Sequence, residues 1–362
     1  MNEPPRVLLI GAGTRARKVY GPWLSQAKTV RPLAVVDTDT EAALSVARAL
    51  PGAAVLRPQD VDHTLTDDRP DLVVIATPDA SHRDYVMQAL AAGCTTLVEK
   101  PLATTAEDAF ALVRAAKNAG TRLLVGHNLR FTNLHSQVRM LLAGGRIGEV
   151  VEVDFRYTLN TSHSHSYFTR WHRRRAASGG LEVTKASHHL DLLSWWLGAQ
   201  PIGVTALLGR HHYFPGKGDV PADADIHDSV HALIQYASGV TVHYALTPNA
   251  PIEGYTCTFR GTEGVCTVQY DARSGPHFVD LRPASIAEGR RLTVRREKGT
   301  HAGADRRMLE ALSKALLSGA PSQFATVTEA ALAVATGTAM YHSSRLGRRL
   351  PVPQPAILGE SR

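Results

Sequence analysis

Apolar residues along this chain follow two successive rhythms, and the change between them near Gly126 divides it. Before that point, short, mainly apolar runs at 7–10, 33–36, 72–76, 96–98 and 123–125 alternate with amphipathic stretches near 14–27, 40–50, 81–92 and 105–119. A run that is apolar at every position is buried on both faces, as in a parallel strand. The stretches repeating about every 3.6 residues are the helices that cover such strands. Repeated strand–helix units predict a doubly wound parallel sheet.

After Gly126 apolar and polar residues alternate instead, as in Val151-Glu152-Val153-Asp154-Phe155-Arg156-Tyr157 and again at 230–236, 240–244 and 255–259. Alternation gives each strand one buried and one wetted face, so this half predicts a mostly antiparallel sheet backed by helices on one side. Ala237-Ser238-Gly239 and 261–264 read as turns, 215–225 as a loop, and 132–143, 184–197, 303–318 and 324–346 as helices. The chain is therefore expected to be α/β, with a nucleotide-binding domain over 1–126 and a substrate-binding domain over 127–362.

Composition changes this picture little. With 44% hydrophobic residues in 362, there is enough apolar material for a sizeable core, and no run approaches the ~20 residues that span a bilayer. The first residues lead directly into the strand at 7–10 without the basic and apolar segments of a signal peptide. Three cysteines, Cys94, Cys257 and Cys266, lack metal-type spacing and point to a reducing, cytoplasmic setting. The net charge of +7 raises nucleic acid as a partner, but the arginines are dispersed and the 6% aromatic content forms no stacking platform. No nucleic-acid or membrane partner is expected.

Candidate chemistry begins at Gly11-Ala12-Gly13-Thr14-Arg15-Ala16, which follows a predicted strand and opens a predicted helix. In that context the first glycine permits a tight turn, Gly13 lets the backbone approach a pyrophosphate, and Ala16 allows close helix packing. Thr14 and Arg15 then lie at the helix start, where Arg15 adds positive charge. Asp37 ends the next strand, where an acidic side chain binds a ribose 2′-hydroxyl and repels a 2′-phosphate. NAD is thus favoured over NADP. Thr77-Pro78-Asp79 ends the strand at 72–76, and Ser81-His82 opens the following helix. At the next strand end, Glu99-Lys100-Pro101-Leu102 places a lysine at the crevice where a cofactor lies. Asn128, after the last strand of this half, stands where the chain crosses into the second domain and, with Pro78 and His82, is expected beside the cofactor.

Taken together, 11–16, Asp37, Thr77-Pro78-Asp79 with His82, Ala89-Leu90-Ala91-Ala92-Gly93 and Glu99-Lys100-Pro101-Leu102-Ala103 resemble the glucose-fructose oxidoreductase, inositol dehydrogenase and rhizopine-catabolism (Gfo/Idh/MocA) family. Gly179-Gly180-Leu181, His188 and Asp191 extend the resemblance into the second half. It implies a Rossmann domain, then an α/β domain whose large open sheet pairs copies into homodimers or homotetramers, with a C-terminal helix packing back on the first domain. It also implies NAD(P)-dependent oxidation of a secondary hydroxyl on a sugar, aminosugar or cyclitol. Lys100 becomes the acid/base or hydroxyl-polarising lysine and His188 the histidine facing the nicotinamide, with Glu99 and Thr77 near the nicotinamide ribose. Trp171, with Arg170 and His172, falls where the family sets aromatic and basic groups beside cofactor or substrate.

One position departs from that pattern. The family's aspartate four residues before the histidine is Thr184 here, which can hydrogen-bond but supplies no charge. Lys185 lies on the same helical face as His188, so Lys100, Lys185 and His188 form the expected catalytic cluster, with Thr184 beside the substrate. A lysine base requires a lowered pKa, which desolvation and neighbouring positive charge provide. His189 points away around the helix and reads as packing. His163 and His165, in what reads as a Ser-rich loop without a carboxylate cluster, do not suggest a metal. Two further activities fit the same residues: a redox-neutral glycosidase or epimerase working by transient oxidation, and a non-catalytic NAD-binding sensor.

Overall fold

Five crossovers build the first sheet, whose strands are β1 (Arg6–Ile10), β2 (Arg31–Val36), β3 (Ala54–Leu56), β4 (Leu72–Ile75), β5 (Thr95–Val98) and β6 (Leu123–Val125). All pair in parallel in the order β3-β2-β1-β4-β5-β6. The order reverses between β1 and β4, so the loops leaving their carboxyl ends part and open a crevice. β3 was not foreseen: its run, Ala54-Val55-Leu56, is short and only partly buried at the edge of the sheet. The computed structural model describes residues 3–273, 275–284, 289–318 and 323–355, so the extreme ends of the two expected domains, 1–2 and 356–362, lie outside the described residues.

The second sheet contains β7 (Val150–Asn160), β8 (Pro201–Gly209), β9 (Ser229–Tyr236), β10 (Thr241–Ala250), β11 (Gly254–Gly261), β12 (Gly264–Asp271), β13 (His277–Pro283), β14 (Arg290–Val294) and β15 (Leu350–Pro351). Its order is β14-β13-β12-β11-β7-β10-β9-β8-β15, antiparallel throughout except for β7 beside β10. Burial alternates as the sequence does: on β9, Val230, Ala232, Ile234 and Tyr236 face inward while His231, Leu233 and Gln235 face out. Five of these strands had not been foreseen. β8 begins at a bulge over Pro201–Gly203. β12 and β13 do alternate, with Thr267, Gln269, Asp280 and Arg282 on the more open face, and β14 has a single buried position.

Two local expectations change. The segment read as a Ser-rich loop is a helix, Thr161–Thr169, because Asn160 caps it, its side chain accepting the His163 N–H at 2.9 Å. The helix expected over 184–197 is instead two pieces, Leu181–Thr184 and Ser187–Leu197, with Lys185 and Ala186 between them. Lys185 sits at that joint and not mid-helix, so its side chain is aimed by the break.

Both late helices pack back on the first half. Met308, Leu309 and Leu312 of Ala304–Ser318 join Val7, Leu9, Val35, Val74 and Leu97 on one face of the parallel sheet. On the other face, Leu8, Ile10, Val73 and Ile75 belong to a core that runs on through Ala330 and Val334 of helix Val327–Leu346 into Phe155, Trp196 and Phe259. One hydrophobic core thus crosses the boundary near Gly126, which holds the two sheets at a fixed relation around the crevice.

Candidate active site

The glycine-rich turn leaves β1 at Gly11, whose φ of 100° is open to glycine and whose missing Cβ would lie 2.6 Å from the Ala76 carbonyl oxygen. At Gly13 the opposite holds: nothing lies within 4 Å of a Cβ there, so the backbone stands exposed on the crevice side. Thr14 is exposed beside it and Ala16 is fully buried. Asp37 shapes the turn, its carboxylate accepting the Ala12 N–H at 2.6 Å and the Asp39 N–H at 2.9 Å. An exposed glycine backbone at a helix start, beside a strand-end carboxylate, fits a dinucleotide.

Arg15 does not point outward toward this cradle. Its guanidinium bonds Glu99 Oε1 at 2.7 Å and spans both oxygens of Asp305, while Tyr20 Oη donates to the same Glu99 oxygen. The charge expected for phosphates is therefore committed to two buried carboxylates. Asp305 also accepts from Asn128 Nδ2 at 2.7 Å and bonds His301 Nδ1 at 2.8 Å. Burial alone would raise its pKa, but His301 and Arg15 outweigh burial and hold it well below the usual carboxylate range. Asn128, expected beside the cofactor, thus ties the crossing segment to the late helix.

Glu99 and Lys100 diverge at the end of β5, as neighbours on an extended chain do. Lys100 is half-buried, and its Nζ donates to the Thr184 carbonyl at 2.8 Å, which links the parallel sheet to the joint carrying Lys185. Burial lowers its pKa, opposed by Asp79 and Glu99 and assisted by Arg15. Asp79, buried with one carboxylate oxygen lacking a hydrogen-bond partner, is pushed up by the same burial against Lys100 and a Thr184 hydrogen bond. Both groups are thus drawn toward their neutral forms, the condition in which an amine accepts a proton. His82, expected at the cofactor, is fully buried and bonds two carbonyls, Pro101 at 2.7 Å and Thr77 at 3.1 Å. It shapes the lysine-bearing turn. Thr77 itself accepts from Ser81 Oγ at 2.8 Å, and Pro78 is exposed at the mouth.

Across the crevice, Lys185 Nζ donates to Tyr157 Oη at 3.1 Å and lies 3.5 Å from Glu253 Oε1. Burial, with Lys100 nearby, outweighs Glu253 and pushes its pKa down to about 8. His188 is buried with Nδ1 lacking a partner, and burial plus Lys100, Lys185, His301 and His127 hold it well below its usual value. It is a neutral imidazole at physiological pH. His189 turns away as its helical position demands, bonding Tyr244 Oη at 2.9 Å and stacking on Tyr157. His172 stacks on Trp171 with ring centroids 3.6 Å apart, and burial with Lys100 and Arg170 pushes it down to about 3. Arg170 is exposed, whereas Arg173 pairs with Asp223 and Arg175 with Glu182. His163 and His165 part company, the first bonding Glu253 and the second Asp219.

Several residues at this site carried no sequence signal of their role. Glu253 and Asp305 reach the crevice from 68 and 290 positions beyond their partners Lys185 and Arg15, and only folding reveals the pairing. Tyr157 was legible as an inward position on its strand, but not as a hydrogen-bond partner of a lysine.

Two matches to known families span this architecture. Residues 5–127 match the oxidoreductase family with an NAD-binding Rossmann fold, and residues 139–353 match its C-terminal alpha/beta domain. The chain belongs to the Gfo/Idh/MocA family of oxidoreductases. Among curated members, YteT of Bacillus subtilis (strain 168) is 28% identical over 261 residues, covering 56% of this chain and 61% of that protein. Inositol 2-dehydrogenase of Rhizobium meliloti (strain 1021) is 31% identical, covering 64% and 65%. The 1,5-anhydro-D-fructose reductase of Ensifer adhaerens is 29% identical over 77% and 84%. Levoglucosan dehydrogenase solved with NADH and levoglucosan superposes with a TM-score of 0.81 at 22% identity, covering 97% of this chain and all of that one. Within this Gfo/Idh/MocA frame, the nine-stranded sheet and the glycine-rich turn occupy the two sides of one crevice, and the chain is an NAD-binding oxidoreductase. No helix among the described residues is long and apolar enough to cross a membrane.

Proposed function

We propose that this chain moves a hydride between a secondary ring hydroxyl of a sugar, aminosugar or cyclitol and NAD. The observation that carries the reading is the meeting of Lys100, Lys185 and a neutral His188 on one crevice beside the glycine-rich turn. Gly11, Gly13, Thr14 and Asp37 would hold the dinucleotide, which supplies the hydride acceptor. Lys100, drawn toward its neutral form and anchored by the Thr184 carbonyl, takes the hydroxyl proton as the carbon gives up hydride. His188 holds the hydroxyl through its unpartnered ring edge, and Lys185 steadies the negative charge that grows on the oxygen. Arg170, Trp171 and His172 line the outer wall against the remaining hydroxyls, the aromatic face covering the ring's apolar side.

The test is NADH absorbance against a panel of sugars, aminosugars, uronates and cyclitols, with product analysis alongside. NADH that grows in step with substrate consumed supports a net oxidation. Product formed without NADH supports the redox-neutral route, and binding of NAD without turnover of any compound supports a sensor. At Asp37, replacement by alanine is expected to weaken NAD binding about tenfold, some 1.4 kcal/mol, with kcat nearly unchanged. Fluorescence titration with NAD measures it, and an unchanged Kd removes Asp37 from the cofactor site.

We also infer a homodimer or homotetramer assembled through the outer face of the second sheet. Leu207 is 71% and Leu233 is 48% exposed there, on neighbouring strands, with His231 directly opposite Leu207. Light scattering of Leu207→Glu/Leu233→Glu against the native chain tests it: the variant is expected to run as a monomer. Three buried, unpaired cysteines support a reducing, cytoplasmic setting.

A further inference from the structure

The joint that carries Lys185 lacks a carboxylate of its own, since Thr184 spends its carbonyl on Lys100 and its hydroxyl on Asp79. The nearest negative charge comes instead from the loop between β10 and β11. Glu253 is 5% exposed, yet four side chains converge on it. Tyr157 Oη donates at 2.9 Å, Asn160 Nδ2 at 2.5 Å and His163 Nδ1 at 2.7 Å, with Lys185 Nζ at 3.5 Å. Lys185 in turn donates to Tyr157 Oη and rests over the Tyr157 ring, 4.5 Å from its centroid. The Glu253 backbone is pinned as well: its carbonyl accepts the Ala272 N–H at 2.8 Å, and a Cβ on the following Gly254 would lie 2.0 Å from the Tyr270 carbonyl oxygen.

We propose that Glu253 is the positioning residue of this active site, supplying from a loop, through Lys185 and Tyr157, the carboxylate that position 184 lacks. The inference rests on the reading of Lys185 as a group that meets the substrate oxygen. A pair of buried charges is seldom a net gain in stability against apolar side chains of the same volume. Here one end of the cluster, Lys185, faces the crevice, and the other, His163, keeps 37% of its side chain open to solvent. That is the geometry of a rigid support for a working group. Lys185 also faces Lys100 from the parallel sheet, His163 from helix Thr161–Thr169, and His188 and His189 from the helix that follows it. Among all these, only Glu253 favours its charged form.

The experiment follows the lysine itself in the full chain, without substrate or cofactor. Lysine carrying carbon-13 at Cε is titrated by NMR, and the Lys185 signal is identified as the one lost in Lys185→Arg. In Glu253→Gln, which keeps shape and hydrogen bonding but not charge, the Lys185 midpoint is expected to fall by about one pH unit. Glu253→Asp is expected to recover part of that fall. Tyr157→Phe serves as a second variant, keeping the ring and removing the hydroxyl, and is also expected to lower the midpoint. In the active enzyme the corresponding limb of kcat/KM against pH moves with it, kcat falling more than KM rises. A Lys185 midpoint that stays in place in both Glu253→Gln and Tyr157→Phe overturns the proposal, whatever their thermal stability. A midpoint that moves in a protein that turns over no compound on the panel upholds the coupling and counts against the dehydrogenase reading instead.

Discussion

Lys100→Met is expected to lower kcat/KM about 10³-fold while the protein stays folded and still binds NAD. The size follows from the role: a positioned proton acceptor contributes roughly 10²–10⁴-fold, and methionine of similar length offers none. Little stability is at stake, because Lys100 is only partly buried and, among the described residues, its side chain donates one hydrogen bond, to the Thr184 carbonyl. Asp79 is the residue that responds. With Lys100 gone it loses the positive charge that opposes its burial, so its pKa rises further and it stays neutral over a wider pH range. Lys100→Arg separates two explanations of the loss. It keeps a positive charge at the same place, yet a guanidinium does not release its proton in a protein. If positive charge alone were the contribution, Lys100→Arg would keep most of the activity; if proton transfer is, it fails about as badly as methionine. Steady-state kinetics with differential scanning calorimetry decides it, and Lys100→Met at a tenth of native kcat/KM or better removes Lys100 from the chemistry.

How far the sequence carries this reading depends on how local each constraint is. The parallel sheet was legible because a doubly buried strand advertises itself in four consecutive residues, as Leu72-Val73-Val74-Ile75 does. The glycine turn was legible for the same reason: Gly11 meets the Ala76 carbonyl only because no side chain fits between β1 and the end of β4. The direction of a long side chain is a different matter. Arg15 reads as a phosphate ligand from its place on the first helical turn, yet two carboxylates, Glu99 and Asp305, outcompete water for its guanidinium. Asp305 is contributed by a helix near the far end of the chain, and nothing near Arg15 announces it. Lys185 shows both sides. Its nearness to His188 was readable from spacing, whereas the break over Lys185 and Ala186 and the carboxylate waiting at Glu253 depend on how the second sheet packs. The nine-stranded sheet itself was only half-visible: at its edges β14 has a single buried position and β15 is two residues long, too little to show a period.

Gly337→Ala is expected to cost about 3 kcal/mol of stability and, in what remains folded, about tenfold in kcat. Gly337 lies within helix Val327–Leu346, where an added Cβ would sit 2.0 Å from the Glu182 carbonyl oxygen and 2.8 Å from its carbon. Those are backbone atoms of the short helix Leu181–Thr184, so no rotamer change relieves the contact and one helix must move. The long helix is held on its other side by Leu332, Ala335 and Ala339, all buried. The short helix yields more readily. It ends in Thr184, whose carbonyl anchors Lys100, and leads into Lys185, so a shift there carries into both lysines at once. Misplacement by about 1 Å is enough to cost up to roughly 10²-fold when catalytic groups must meet a reacting atom. Substitution at Val183, whose methyl lies 3.1 Å from the new Cβ, provides the control: Val183→Ala removes a side chain but not the carbonyl, so it is not expected to rescue Gly337→Ala. Thermal unfolding and kcat measured on the single and double variants test this. A Gly337→Ala protein with native melting temperature and native kcat would mean that the two helices are not in the rigid contact that holds Lys100 and Lys185 to one geometry.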